Sequence, residues 1–394
     1  YRICMSLDDR CITSLILCDT SKAFDRVWHS GLLIKLKAYG IDGNLYKWFE
    51  SYISNRKQSV FVSNAYSPFD NTNAGVPQGS VLGPLLFLIY VNDIADNLTS
   101  LTRLFADDTS LSYSSNNPYT IEDVLNSDLE QISVWSKDWL INFNPNKTKA
   151  MIFSCHTSPD DIEIEFQNQL VEFVSCHKHL GITFDSNDKF HTHIENILKC
   201  ASTRLNVLKK LKYVLNRNYL ARIYLTFIRP VMEYACELWD GCTQQEADNL
   251  EHVQLEAGRL VTGLPVFASR EAIYFETGWQ LLVNRRKSRM LNMFYSIHNE
   301  TAPDYLCDLM PPLVGQVSNY DLRNSNNYVV PGYRLDITRK SFFPSTTIEW
   351  NSLPPDIRTS KNINIFKRKM KSKLIQPPSY FSCGDRKLIS FIHV

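Results

Sequence analysis

Three aspartates pose the first chemical question. Asp19 closes an apolar run, residues 13–18, of strand length. Asp107 and Asp108 fall between two further strand-like runs, residues 101–106 and 109–113, where a tight turn is expected. If those strands are neighbours, three carboxylates meet at one sheet edge. Such a cluster is costly by itself, because like charges a few ångströms apart repel. Magnesium removes the cost, since it prefers carboxylate and phosphate oxygens. Two such ions about 3.5–4 Å apart can activate an attacking hydroxyl and stabilise a leaving phosphate. An Asp-Asp pair is also an ordinary turn, so companions are needed before chemistry follows.

The surrounding pattern alternates strands and helices. Ser30 can cap a helix carrying Leu32, Leu33 and Leu36 that stops at Gly40. Leu45, Trp48, Phe49, Tyr52 and Ile53 form the stripe of a second helix. Residues 59–63 alternate as a strand, residues 71–83 form a loop rich in Asn, Gly and Pro, and an apolar helix runs from about residue 85 to 94. A long helix holds Ile121, Val124, Leu125, Leu129, Ile132, Trp135 and Trp139 on one side. Short strand-like pieces fill residues 150–184, and from residue 196 the pattern is mostly helical and basic.

At 394 residues, with 44% hydrophobic and 21% charged residues, the chain has the composition of a globular protein of two or three domains. The formal net charge of +1 means that any nucleic-acid surface must be local. Ten cysteines without regular spacing point to reduced, intracellular thiols instead of a disulfide framework. No apolar run reaches membrane-spanning length, which argues against a membrane role. The chain opens on Tyr1 in what reads as mid-domain sequence, so a fragment or truncated product is expected.

Two strings accompany the acids. One is Cys18-Asp19-Thr20-Ser21-Lys22-Ala23-Phe24-Asp25-Arg26-Val27; the other is Gly75-Val76-Pro77-Gln78-Gly79-Ser80-Val81-Leu82-Gly83-Pro84. Phe105-Ala106-Asp107-Asp108 follows, then Asn144-Pro145-Asn146-Lys147-Thr148-Lys149 and His179-Leu180-Gly181-Ile182. In this order they resemble the reverse transcriptases of non-LTR (LINE-type) retrotransposons, close to their jockey-like branch, from about residue 14 to 229.

That resemblance implies an α+β fold: a polymerase palm of antiparallel sheet with packed helices, then a helical thumb and a mixed C-terminal region. The expected divisions are 1–186, 187–265 and 266–394. It implies RNA-directed DNA synthesis with two Mg2+ ions on Asp19, Asp107 and Asp108, an RNA template, a DNA primer and deoxynucleoside triphosphates, in the nucleus when acting on target DNA. Phe24 matches the ring that excludes a 2′ hydroxyl, and Gln78 and Gly79 match the loop beside the nascent base pair. Lys147 matches a lysine that serves the leaving pyrophosphate, and Leu180 with Gly181 matches a hairpin that grips the primer. Lys209, Lys210 and Lys212 lie on helices suited to duplex phosphates. Asp25 and Asp93 are expected to be structural.

Other readings stay open. Cys176, His177, His179, His191 and His193 cluster, but their spacing fits no common zinc finger. Residues 367–373, basic and lysine-rich, fit a nuclear import signal, an RNA contact or a solvated helix face. Trp279, Trp350 and Phe342-Phe343-Pro344 point to a separate C-terminal core, with a linker near residues 317–327. Only eighteen residues precede Asp19, where the family places finger strands. The chain therefore also reads as an N-terminally truncated fragment, and an inactive relic or a domesticated RNA-binding piece is the alternative to an active enzyme. An RNA-directed RNA polymerase or intron maturase is a third reading. Ala106 disfavours it, because the viral enzymes carry glycine before the acid pair.

Overall fold

The computed structural model describes residues 1–155, 162–187, 189–317, 320, 323–330 and 332–374. The chain divides into two compact units, Arg2–Asn187 and Tyr1 with Asp188–Val394.

In the first unit, helix α1 (Arg2–Asp8) leads into strand β1 (Ile12–Cys18), followed by helices α2 (His29–Ala38) and α3 (Gly43–Ile53). Strands β2 (Arg56–Gln58), β3 (Phe61–Val62), β4 (Ala65–Tyr66) and β5 (Asp70–Thr72) pair as two small ribbons, β2 with β5 and β3 with β4. Of the expected strand at residues 59–63 only Phe61–Val62 is strand. Helix α4 (Leu82–Val91), strands β6 (Leu101–Phe105) and β7 (Asp108–Ser115), helix α5 (Pro118–Asp138) and strand β8 (Lys149–Phe153) come next. After the two-stranded hairpin β9 (Glu165–Phe166) and β10 (Gln169–Leu170) come β11 (Glu172–Phe173), β12 (Cys176–His179) and β13 (Ile182–Asp185).

The main sheet has the order β11-β8-β1-β7-β6. All its pairs are antiparallel except β11 with β8, so the sheet is mixed and not purely antiparallel. Strand β1 lies at the centre, and Thr13, Ser14, Ile16, Leu17 and Cys18 are all buried. A strand covered on both faces must be apolar along its length, which is why residues 13–18 read as a continuous run. Strand β7 alternates instead, with Thr109 and Leu111 buried. Helix α5 starts where Asn117 accepts a hydrogen bond from the Tyr119 amide and Pro118 takes the first position. It buries Ile121, Leu125, Leu129 and Ile132 completely. Ser30 does not cap α2. The helix starts at His29, after Trp28, whose indole packs so closely on Gly31 that an added Cβ would lie 2.4 Å from the ring. These helices and the sheet form the expected α+β architecture.

The second unit is helical: α6 (His191–Leu211), α7 (Arg217–Ile223), α8 (Arg229–Glu233), α9 (Cys236–Trp239), α10 (Gln244–Thr262), α11 (Arg270–Thr277) and α12 (Leu282–His298). Beyond shorter turns follow α13 (Phe342–Asn351) and α14 (Ile363–Leu374). The expected thumb and C-terminal region share this one unit. Helix α12 explains why: its Arg285 binds Glu233, Arg286 binds Asp240 at 2.6 Å and Arg289 binds Glu237 at 3.2 Å. Phe294, Tyr295, Phe343, Trp350, Phe366 and Met370 build a core of the C-terminal part. Trp279 is not in it; its ring stacks on Tyr224, 4.2 Å away. On α14 the buried Phe366 and Met370 put Lys367, Arg368 and Lys371 on the exposed side. Within the expected linker, residues 318–319 and 321–322 lie outside the described residues. Its flanks are tied, with the Val314 amide donating to Asn327 O and the Val329 amide to Pro312 O, both at 2.8 Å.

Candidate active site

The three aspartates sit at one end of the sheet. In the β6–β7 hairpin Phe105 faces Asp108, which leaves Ala106 and Asp107 as a two-residue turn. The acid pair is therefore not the apex as expected: Asp107 is in the turn and Asp108 opens β7. The reason is backbone geometry. A two-residue hairpin turn that follows the strand twist needs a positive φ at its first position, and Ala106 has φ 53°. A residue with a Cβ held there costs about 1–2 kcal/mol.

Between β1 and β7, Cys18 faces Thr109, and both are buried. Asp19 and Asp108 each stand one residue beyond that last pair of the ladder. The Thr20 hydroxyl donates to Asp107 O at 3.1 Å, which ties the end of β1 to the turn. Burial pushes the Cys18 thiol up to about 12, so beside Asp19 it stays a neutral packing group. At the base of the hairpin the buried Asp128 of α5 accepts from the Thr99 amide at 3.1 Å and the Ser100 amide at 2.7 Å. This carboxylate anchors the start of β6.

The loop at residues 144–148 closes a fourth side. The Asn144 amide donates to Asp19 O at 2.8 Å and the Ser21 amide to Asn142 O at 2.9 Å. Lys147 Nζ lies 3.8 Å from Asp19 Oδ2, with both side chains largely exposed. A pair that open to water is worth about 0–1 kcal/mol, so the ammonium is available to another anion. Among the described residues no group of three or more His, Cys, Asp or Glu side chains is gathered closely enough to hold a metal. The strands place the aspartates at the same end of the sheet without gathering their carboxylates into such a group.

Phe24 and the loop at residues 75–83 form a second cluster. The Phe24 ring stacks on the buried Phe87 of α4, with centroids 4.4 Å apart. The Gly75 and Val76 amides donate to Val27 O and Phe24 O, each at 2.8 Å. Gln78 Nε2 donates to Asp25 Oδ1 at 2.9 Å, and Gly79 is exposed with φ 79°. Asp93 binds Lys35 at 2.5 Å and also accepts from the Trp135 indole at 3.1 Å. The Lys35 ammonium lies 3.7 Å from the Trp139 ring centroid; its burial holds its pKa below the usual lysine range, with Asp93 acting in the opposite direction.

Strands β12 and β13 pair from His179–Ile182 outward, with Leu180 and Gly181 as the turn at φ 48° and 81°. Burial lowers the pKa of His177 and of His179, and the charge of Asp108 works against that on both. The carboxylate that opens β7 thus reaches the histidines of this hairpin electrostatically. In the helical unit Lys209 is exposed and forms an ion pair with Glu256 at 3.1 Å. Lys210 and Lys212 are exposed, Lys212 4.9 Å from the Tyr213 ring centroid. His191 is likewise engaged, with Glu246 at 2.6 Å.

Asp128, Asn144 and Lys35 were not legible as supports of the site. Only the Asn-Pro turn signal at residues 144–145 marked one of them.

Residues 4–204 match the family model described as "Reverse transcriptase (RNA-dependent DNA polymerase)". The chain is 31% identical over 280 residues to the "Probable RNA-directed DNA polymerase from transposon BS" of Drosophila melanogaster, covering 67% of the chain and 30% of that protein. It is 28% identical to the probable RNA-directed DNA polymerase from transposon X-element of the same fly, over 69% of the chain and 31% of the relative. Identity to the RNA-directed DNA polymerase from its mobile element jockey is also 28%, over 63% and 28%. The match thus spans less than a third of these curated relatives. Among solved structures, apo telomerase from Candida tropicalis aligns over 73% of the chain and 48% of its own, with a TM-score of 0.40 and 11% identity.

Proposed function

Since the chain belongs to the reverse transcriptase (RNA-dependent DNA polymerase) family, we propose that it extends a DNA primer 3′ hydroxyl with deoxynucleotides on an RNA template. One observation supports this reading: β1 and the β6–β7 hairpin end together, with Asp19 and Asp108 each one residue past the Cys18–Thr109 pair and Thr20 bonded to Asp107.

Divalent ions are general in this family, and for this chain we take them to be two Mg2+ ions on Asp19, Asp107 and Asp108. The donor chemistry suits that ion, because carboxylates are the hard oxygen ligands it prefers, although the three side chains are not drawn together into a ready-made cage. Bound there, Mg2+ supplies charge neutralisation and polarisation of phosphate oxygens.

The chain's own groups do the rest. Lys147, loosely paired with Asp19, neutralises the departing pyrophosphate. Phe24, braced by Phe87, occupies the space a 2′ hydroxyl would need. Gln78 and Gly79 line the nascent base pair, where glycine lets backbone approach closely. The Leu180–Gly181 turn holds the primer end. Lys210 and Lys212 contact duplex phosphates, and synthesis on target DNA places the protein in the nucleus.

Primer extension on an RNA template with Mg2+ tests the reading. Wild type should incorporate deoxynucleotides, and Asp107→Ala should lose at least about a hundredfold in rate. Equal incorporation by both would overturn the metal assignment. RNA binding with no synthesis by either would favour an inactive RNA-binding fragment.

A further inference from the structure

The exposed carboxylate of Asp25 lies outside the metal site, yet it makes a side-chain bond across the two motif segments that flank the nucleotide loop. Asp25 belongs to a short 3-10 turn, residues 23–26, that begins at Lys22 in the left-handed region with φ 51°. The turn is closed by the Asp25 amide donating to Lys22 O at 3.0 Å. Across from it, Ser80 Oγ donates to Pro77 O at 2.7 Å and accepts from the Gly83 amide at 2.9 Å, which fixes the loop as it enters α4.

The two segments are docked by backbone hydrogen bonds and one from the His29 ring, none of which uses the Asp25 side chain. The Gly75 amide donates to Val27 O, the Val76 amide donates to Phe24 O, and His29 Nε2 shares a hydrogen bond with Gly75 O at 2.8 Å. The approach is so close that a Cβ on Gly75, at φ 90°, would lie 2.8 Å from Asp25 O. The Asp25–Gln78 bond, at 2.9 Å, is therefore not needed to hold the loop in place.

What the bond does is select an orientation. A side-chain amide has a donor end and an acceptor end, and the two are nearly the same shape. An ionised carboxylate can only accept. The NH2 end of Gln78 must therefore face Asp25, and its carbonyl oxygen must face away. We propose that Asp25 is a positioning residue for nucleotide binding: it locks the Gln78 amide with its oxygen and second proton turned outward from the loop. This rests on the polymerase reading, in which Gln78 lies beside the nascent base pair. The backbone docking is independent of the Asp25 side chain, so its loss should loosen nucleotide binding without dismantling the site.

Two measurements test this separately. In primer extension, Asp25→Ala should raise the nucleotide KM by about tenfold, the scale of one lost hydrogen bond to a charged group, with kcat within about twofold. Asp25→Asn should lie between, because an asparagine can present either end and lets the Gln78 amide flip. In a Gln78→Ala background Asp25→Ala should add nothing. Independent, multiplying effects of the two substitutions, or a fall in kcat at unchanged KM, would overturn the proposal.

The second measurement needs no activity. With 15N-glutamine labelling, the Gln78 side-chain NH2 should show one proton shifted away from its free-glutamine position and protected from solvent exchange, and both signatures should be lost in Asp25→Ala. A wild-type Gln78 amide already like free glutamine would sink the Asp25 contact. Failure of the wild type to incorporate would count against the polymerase reading alone, since the amide spectrum decides the contact by itself.

Discussion

The two units use charge in opposite ways. In the sheet unit the acids that could do chemistry are open and weakly engaged: Asp107 is exposed, and Asp19 has Lys147 at 3.8 Å. In the helical unit several charged groups are consumed by structure. Glu251 is buried and accepts from the Leu282 amide at 2.8 Å, from Gln254 Nε2 at 2.9 Å and from the Tyr274 hydroxyl. Arg285, Arg286 and Arg289 each have a carboxylate on α8, on α9 or just after α9. A basic run such as residues 285–289 looks like a nucleic-acid contact, yet most of its charge is already paired. A charge available for substrate is one that folding has left unspent, and the count of lysines and arginines does not reveal which those are.

The contrast predicts that acidic residues in the helical unit matter for stability and those at the sheet end for chemistry. The largest structural effect is expected at Glu251. Glu251→Ala leaves the Leu282 amide and the Tyr274 hydroxyl without this acceptor and should cost about 2–4 kcal/mol, seen as a lower denaturant midpoint for the helical unit. A loss under about 1 kcal/mol would break the comparison.

Asp128 is the exception that sharpens it, a buried structural carboxylate inside the sheet unit. Asp128→Ala leaves the Thr99 and Ser100 amides unpaired and should cost about 2–3 kcal/mol. Because it frees the base of the β6–β7 hairpin, incorporation per folded molecule should fall as well. Unchanged activity with lowered stability would mean that the hairpin holds its geometry without that anchor.

A smaller effect separates lysines of one helix end. Lys210→Ala with Lys212→Ala should reduce the salt dependence of RNA–DNA duplex binding by about two units of log–log slope. Lys209→Ala, whose charge Glu256 already engages, should change that slope by less than about half a unit. Equal changes would show that the Lys209–Glu256 pair opens when nucleic acid binds.

Much of the site was legible because its parts are local in sequence. The central strand that ends at Asp19 announces itself by an unbroken apolar run, and the stripe of α5 by its helical spacing. The loop with Gln78 and Gly79 is set by glycine and proline. What escaped depends on contacts far apart in the chain. Asp128 reads as one more polar residue on a helix until it meets amides 29 and 28 positions away. The apex of the hairpin shifted by one residue because Ala106, not an aspartate, takes the left-handed position. The start of α2 moved because Trp28 packs on Gly31, and Trp279 joined a different partner than its neighbours in sequence implied. The ribbons of β2–β5 are too short for alternation to set their bounds, and residues 59–63 signalled only β3.

If Asp19 and Asp107 serve one shared set of ions, they act as a unit, and units fail together. Primer extension by Asp19→Ala, Asp107→Ala and the double variant measures this directly. All three should drop to the same residual rate, with the second substitution costing almost nothing after the first. Losses that multiply, or either single variant working at the wild-type rate, would contradict the shared site.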